Sequence, residues 1–482
     1  MAENLQNKTF SGITWTFAKH LSLQLFGFIQ GIILARILEP SAYGLIAMTQ
    51  IFFAVSSVFI DSGFSNALRR KNDRTEMDYS TVFITNVVLT FFFAGLLVFF
   101  APFIASFYKE PILAKIVRAN AILLVLNSFN ATQGTRMKIH FQFKELSIIS
   151  VIVNVTVGLA SIGCAFAGFG VWSLIWPNYL APLMYIILYW HYQHWRPKIQ
   201  FSWQSWKEFF AYGSRLLASS LLDTVFKNIY PIIIGKKFSA TDLGYYNRAR
   251  GYSNLPSQTF QSVVGQVSFQ VLSEIQDDDE RLRAGYRRLI RMAAFVVFPL
   301  MVGLAVVARP AVIVLITDKW EACIPMLQIL CFSSMWYPIH ALNLSLLQVK
   351  GRSDLFLRLE IIKKVILLIA IFIAVPFGVI GICVSSIITS LIALVINTYY
   401  TGKIINMGFV AQMKDLVPML LQSLLMGAIV WISIRYIPSM IAKLMIGIII
   451  GGTFYILFAK LTDSDELTYV KLLIDKNILH RG

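Results

Sequence analysis

A membrane hairpin is written into this sequence twice, 200 positions apart. The first copy reads Gly31-Ile32-Ile33-Leu34-Ala35-Arg36 and, after a short break, Tyr43-Gly44. The second reads Pro231-Ile232-Ile233-Ile234-Gly235-Lys236 and, after a break of equal length, Leu243-Gly244. Arg36 and Lys236 stand at the same offset, 236 − 36 = 200. Downstream, Phe169-Gly170-Val171 returns as Phe377-Gly378-Val379, an offset of 208. Internally repeated hydrophobic segments are a common way to build a transporter, with the substrate path between the repeats.

The composition agrees with a chain that lives in lipid. Of 482 residues, 57% are hydrophobic and 14% charged, with a mean hydropathy of +0.67, whereas soluble chains are nearer a quarter charged. The chain reads as a polytopic membrane protein with little length left for a soluble domain. Cys164, Cys323, Cys331 and Cys383 all lie in apolar stretches without zinc-like spacing, so they read as small core hydrophobes. No metal and no cofactor is expected. The net charge of +17 does not point to nucleic acid, because the basic residues cluster in short loops between hydrophobic runs. Near the N-terminus an apolar run from Ser11 to Ala35 is interrupted by Lys19 and His20, and no small-residue cleavage site follows. It reads as the first membrane helix rather than a removable signal.

About 20 apolar residues cross a bilayer. By that measure the sequence predicts 14 spans: 11–35, 43–63, 79–101, 112–133, 146–167, 170–190, 209–235, 245–273, 290–316, 322–348, 356–376, 378–400, 415–435 and 439–459. The expected fold is therefore all-α. Residues 1–207 and 208–404 form two six-helix lobes as parallel repeats, and 405–482 add a last hairpin and a cytoplasmic tail. Basic clusters at Arg69-Arg70-Lys71 with Arg74, at Arg136/Lys138/Lys144, at Arg196/Lys198/Lys207, at Arg281 to Arg291 and at Lys350/Arg352 all follow even-numbered spans. The positive-inside rule then puts both termini in the cytoplasm. The segment 245–273 is polar for a span, with Asn247, Arg248, Arg250, Asn254, Gln258, Gln261 and Gln266, so it is expected to face water or the bundle interior. The run Asp277-Asp278-Asp279-Glu280 reads better as a helix cap than as a calcium loop, since the loop glycine of an EF-hand is missing.

Enzyme motifs are absent: there is no GxxxxGK phosphate loop, no HExxH and no nucleophile elbow. His191 and His194, flanked by Trp190 and Trp195, fit an interfacial aromatic belt better than a metal pair. Gly447 and Gly451 predict close helix packing.

Charges inside spans carry the functional information, since each costs about 2.5–3.5 kcal/mol at the bilayer centre on insertion scales. Lys19 sits eight residues from Ser11, about 12 Å along a helix, and Gln30, eleven residues on, shares its face. Arg215, Ser219, Asp223 and Lys227 recur every four residues as one polar stripe. Arg118 and Asn127 join from the fourth span and Asn154 from the fifth. Lys19 aligns with Ser219 at the 200-residue offset, one turn from Arg215, so both repeats present a cation at similar depth. Facing cations repel unless an anion binds between them or Asp223 offsets part of the charge. The expected anion site thus comprises Lys19, Arg215, Lys227, Arg118, Arg248 and Arg250, with Asp223, Gln30, Asn127, Asn154, Gln258 and Gln261 as polar or ion-coupling residues. Simpler roles stand beside these: Asp223 and Lys227 are spaced for an intrahelical pair, Arg118 and Lys19 are within snorkelling range, and Arg69 to Arg74 serve as topology determinants.

Ile33 to Pro40 running into Tyr43-Gly44-Leu45, Asp61-Ser62-Gly63-Phe64-Ser65-Asn66-Ala67, Trp195-Arg196-Pro197 and Leu243-Gly244-Tyr245-Tyr246-Asn247-Arg248-Ala249 together resemble the polysaccharide transporter flippases of the multidrug/oligosaccharidyl-lipid/polysaccharide exporter superfamily. The last stretch is similar to the branch typified by colanic-acid repeat-unit exporters. Leu68-Arg69-Arg70, expected in a loop, stands where an Ile-Gln-Arg type run is common. The resemblance implies a two-lobed, V-shaped transporter of a bacterial inner membrane. It implies transfer of an undecaprenyl-pyrophosphate-linked oligosaccharide from the cytoplasmic to the periplasmic leaflet, by one half rocking against the other. The expected partners are that substrate, membrane lipids, and polysaccharide polymerase and assembly proteins, with the transporter itself a monomer. The nearest rival is a cation-coupled drug antiporter on the same fold, which would want more acidic residues deep in its helices. A membrane polymerase or ligase would want a large periplasmic loop with basic catalytic residues. A non-transporting scaffold leaves the internal charges unexplained.

Overall fold

The computed structural model describes residues 2–61, 63–193 and 195–468, and their side chains except those of 2–14, 16–18, 215, 216 and 262–267. The chain divides into two compact units, Met1–Gly244 and Tyr245–Gly482. Helices of the first are α1 (Ala2–Ile37), α2 (Pro40–Asp61), α3 (Phe64–Arg70), α4 (Glu76–Tyr108), α5 (Ile112–Ile139), α6 (Phe143–Phe166), α7 (Leu180–Tyr192), α8 (Trp203–Lys227) and α9 (Ile229–Lys237). α10 (Ala240–Glu274) begins there and continues into the second, which holds α11 (Asp279–Val306), α12 (Ala308–Ile316), α13 (Cys323–Ser334), α14 (Tyr337–Val349), α15 (Ser353–Ala374), α16 (Gly378–Ile405), α17 (Phe409–Arg435) and α18 (Met440–Leu461). The duplication places 208–237 at the start of the second repeat, whereas the packing groups α8 and α9 with the first unit.

The duplication is legible in the backbone. α1 ends at Ile37 and α2 starts at Pro40; α9 ends at Lys237 and α10 starts at Ala240. Each break is closed by the same bond, Leu38 N–H to Leu34 O (2.8 Å) in one and Phe238 N–H to Ile234 O (2.9 Å) in the other. The two breaks also lie against each other within the first unit. A Cβ added to Gly44 would stand 1.7 Å from the Ala240 carbonyl oxygen, and one added to Gly244 would stand 2.0 Å from that of Pro40. The contact is therefore reciprocal, as a two-fold relation requires. The second echo matches too: Gly170 (φ 55°) and Gly378 (φ 76°) both take the left-handed conformation, which glycine adopts without a Cβ clash.

Ten helical stretches among the described residues are long and apolar enough to cross a bilayer, or 11 if Leu217–Lys227 and Ile229–Lys237 are joined across a 43° bend. The count of 14 read from the sequence departs from this in three places. α10 is too polar. The segment 322–348 is two short helices, α13 and α14, divided at Met335 and Trp336, just ahead of Pro338, whose ring suits a new first turn. Ser353–Ile405 is one continuous apolar stretch of 53 residues that holds the two expected spans, 356–376 and 378–400, as separate helices, α15 and α16, packed together across the turn at Gly378. Two further expectations change. The seventh span, read as one helix, is broken at Asn228 into α8 and α9. The sixth opens in 3-10 turns over Gly170–Leu174 and Trp176–Tyr179, with α-helix from Leu180.

In the second unit, α18 approaches α17 and α12 at its two glycines, as the sequence predicts. A Cβ on Gly447 would be 2.8 Å from Val307 Cγ1, and one on Gly451 would be 3.3 Å from Val430 Cγ2. Asp278 caps α11 by accepting from the N–H groups of Glu280 (3.1 Å) and Arg281 (3.0 Å). Arg287 grips Asp415 of α17 through Nε (2.8 Å) and Nη2 (2.5 Å). Cys323, Cys331 and Cys383 are buried and Cys164 half-buried, all as free thiols. A buried amide pair joins α14 to α17: Asn343 Nδ2 donates to Gln412 Oε1 (3.1 Å) while Gln412 Nε2 donates to Asn343 Oδ1 (3.1 Å). Thr401 Oγ1 of α16 donates to the same Asn343 oxygen (2.7 Å).

Two predictions follow from these contacts. Gly44→Leu or Gly244→Leu drives a side chain into backbone, so each is expected to cost 1–3 kcal/mol or about that much again. The loss is read as a lower melting temperature in detergent, against Gly251→Ala, whose added Cβ meets nothing within 4 Å. Gln412→Leu strands the Asn343 amide at about 1–3 kcal/mol. The double substitution with Asn343→Leu should lose less than the sum of the singles, and strictly additive losses would mean the two amides are not coupled.

Candidate functional site

Polar side chains gather where α2 and α3 meet α5 and α8 in the first unit, with α1 within electrostatic reach through Lys19. α2 is helical to its last residue, so Ser57 and Asp61, four apart, share a face. The chain turns at Gly63, with φ 74°, and restarts as α3. Residues 68–70, expected in a loop, are helical. Phe64, Ala67 and Leu68 anchor α3 in a core with Tyr79, Val82, Trp195 and Phe209, and that burial directs Asn66 and Arg69 outward, where both are exposed. Gly63 also lets α3 approach α8: a Cβ there would lie 2.8 Å from Gly213 Cα. Ser65 Oγ donates to Asp61 Oδ1 at 2.7 Å and fixes the carboxylate across the turn.

The cluster of basic residues after α3 separates into distinct tasks. Arg74 caps α3, donating to the carbonyls of Leu68 (2.7 Å) and Arg69 (2.6 Å). Arg70 lies over the ring of Tyr212, 5.1 Å from its centroid. Lys71 bridges Asp78 of α4 (3.2 Å) and Glu208 of α8 (3.1 Å). Burial works against its charge, but the hydrogen bonds to Glu208 and Asp78 outweigh that and raise its pKa above the ordinary lysine value. Arg69 takes a different part: with Lys19 of α1 and Asp61, it lies within electrostatic reach of Lys138 near the end of α5. Three cations and one carboxylate leave this group at 3 − 1 = +2. Beside it opens a cleft of about 310 Å³ lined by Ser57, Val58, Asp61, Gly63, Asn66, Leu217 and Ser220.

Of the residues singled out in the sequence, Lys19 belongs to this group and is half-buried. The side chain of Arg215 lies outside the described residues, as does His194. Asp223 is half-buried on α8, and Lys227 is exposed at its last turn. Arg118 is exposed on α5, 20 residues and so about 30 Å from Lys138. Gln30, farther along α1, is half-buried with its Oε1 against α6, 2.9 Å from where a Cβ of Gly158 would stand. Asn127 and Asn154 donate to their own helices, to Leu123 O (3.0 Å) and Ser150 O (2.8 Å), the usual local bond of such side chains. Arg248, in the second unit, stacks on Trp320 (5.1 Å) and Tyr252 (5.7 Å). On the same helix Arg250 and Gln261 are half-buried and Gln258 is exposed. Asn254 Oδ1 accepts from Ser334 Oγ (3.1 Å), which ties the polar helix α10 to α13.

Arg69 and Lys138 are the residues that sequence reasoning assigned to loops. Both became site residues because helices run past the expected membrane edge: α3 fills a predicted loop, and α5 continues to Ile139 rather than stopping at 133. The absence of proline between 112 and 139 was the one available signal.

Comparisons with known proteins agree with this architecture. Teichuronic acid biosynthesis protein TuaB of Bacillus subtilis (strain 168) is 26% identical over 73% of this chain and 73% of its own length. Lipopolysaccharide biosynthesis protein WzxC of Escherichia coli (strain K12) is 23% identical over 83% of this chain and 82% of its own. Among solved structures, the lipid II flippase MurJ in an inward closed conformation superposes with a TM-score of 0.75 at 15% identity, covering 93% of this chain and 99% of that one. At that identity the likeness is one of fold, a polytopic helical membrane protein. The family profile described as polysaccharide biosynthesis protein matches residues 33–325. With more than half of its length matched, the chain belongs to the polysaccharide biosynthesis protein family.

Proposed function

We propose that the protein is a flippase: it carries an undecaprenyl-pyrophosphate-linked oligosaccharide from the cytoplasmic to the periplasmic leaflet of a bacterial inner membrane, by alternating access. The observation that carries this reading is that Arg69, Lys19 and Asp61 all lie within electrostatic reach of Lys138. Like charges gathered near lipid are costly unless an anion joins them, and a diphosphate supplies the charge that Asp61 leaves unmatched. The names of the relatives support the cargo class, since they refer to teichuronic acid and lipopolysaccharide biosynthesis, and the structural neighbour is named for flipping lipid II.

The basic loops put both termini in the cytoplasm, so the cation group sits at the cytoplasmic end of its helices and loads from that leaflet. The reciprocal contact at Gly44 and Gly244 then closes the periplasmic end. The repeats 1–207 and 208–404 exchange access, and 405–482 form a terminal hairpin. With the cytoplasm negative, outward movement of an anion is favoured by about 2.3 kcal/mol per charge per 100 mV, so the transmembrane potential assists the transfer. The protein acts as a monomer and passes its cargo to polymerase and assembly proteins.

The test is reconstitution. In proteoliposomes loaded with a labelled lipid-linked oligosaccharide, Lys19→Ala, Arg69→Ala and Lys138→Ala are each expected to slow leaflet transfer about tenfold, equivalent to about 1.4 kcal/mol in the barrier. Arg118→Ala, remote on α5, should not slow it. Wild-type rates in all three variants would remove the site. Export of a cationic dye, lost on Asp223→Asn, would instead favour the antiporter.

A further inference from the structure

The cleft beside the cations holds a carboxylate, Asp61, that a diphosphate cannot use. Four polar side chains line it, Ser57, Asp61, Asn66 and Ser220, and all four are exposed to its space. Asp61 Oδ1 is engaged by Ser65 Oγ. The side chains of Ser57, Asn66 and Ser220 are exposed beside it in the same cleft.

A diphosphate accepts hydrogen bonds and carries negative charge, so it is repelled by Asp61. A carboxylate flanked by an amide and two hydroxyls suits the opposite partner, a group rich in O–H donors that also accepts. Asp61 is shared between cation group and cleft, which sets such a group next to the phosphates. The volume, about 310 Å³, is at the lower end of ligand pockets of roughly 300–1,000 Å³, enough for one or two sugar rings and too small for a whole repeat unit.

We propose that the cleft of Ser57, Asp61, Asn66 and Ser220 binds the sugar directly attached to the diphosphate, with Asp61 accepting its hydroxyl protons. Asp61 is thereby the residue that distinguishes a glycosylated lipid carrier from a bare one. The proposal rests on the flippase reading of the adjacent cations. It gives a physical reason for a carboxylate in an anion site: the charge penalises the empty carrier diphosphate, and the hydroxyls of the first sugar offset that penalty.

Binding of two probes to the detergent-purified protein tests this: polyprenyl diphosphate, and the same lipid carrying one N-acetylglucosamine. The wild type is expected to prefer the glycosylated probe. Asp61→Asn should weaken the glycosylated probe about tenfold while leaving the bare diphosphate unchanged or tighter, because one repelling charge is gone. Ser220→Ala, a milder change that keeps the α8 backbone, should reduce the preference about threefold. A wild-type preference that survives in both variants, or equal weakening of both probes, overturns the proposal. A wild type that binds neither probe overturns the flippase reading beneath it, so the two failures are separable.

Discussion

Two glycines set how closely the repeated hairpins approach, and the arrangement of the first unit follows from that distance. At Gly44 and Gly244 the backbone of one helix break fills the space that a side chain would take on the other. Because the breaks share an offset of 200 residues, one contact generates the other, and α1–α2 is held to α9–α10 at two symmetric points. Nothing but backbone carbonyl meets these glycines at closest range. The contact has almost no slack, and such close-packed contacts switch between discrete arrangements more readily than they deform. Gly63 and Gly213 make a similar approach farther along α2–α3 and α8. The candidate site lies beside that second approach, with Gly63 in its lining.

Electrostatics explains why the site takes its composition. Cations at the edge of a bilayer are strongly attractive to phosphate when an anion is present and mutually repulsive when it is absent. Lys71 and Arg70 show the alternative fate of a basic residue here: carboxylate partners and an aromatic face absorb their charge. Arg136 is likewise held between Tyr79 and Trp195, 5.2 and 5.4 Å from their rings. Among the described residues, those within electrostatic reach of Lys138 are Arg69, Lys19 and Asp61, an excess of positive charge that marks the group off from the structural cations around it.

What was legible in the sequence was whatever is local or periodic. The duplication reappeared to the residue in the breaks after Ile37 and Lys237. The cap at Asp278 and the close packing at Gly447 and Gly451 also appeared where composition placed them. Lys19 was legible because a lone lysine in an apolar run must be accounted for. The break at Asn228 was read through, although the polar pair Lys227-Asn228 interrupts the apolar run and Pro231 follows in the first turn of α9. Arg69 and Lys138 were hidden for another reason: each belongs to a basic cluster whose topological role suffices to explain it. Only the packing of α3 and the extra turn of α5 bring them together. For Gln30, helical spacing shows the face it shares with Lys19 but not that Gly158 leaves room for its amide against α6.

The central claim is that a lipid diphosphate is held by cations from α1, α3 and α5. A cryo-electron-microscopy map of the protein with a polyprenyl-diphosphate glycolipid tests it most directly. The account predicts diphosphate density within ion-pair reach, about 4 Å, of the Lys19, Arg69 and Lys138 side chains. Density for the diphosphate against a different set of cations, such as Arg283 and Arg288 at the start of α11, would contradict it.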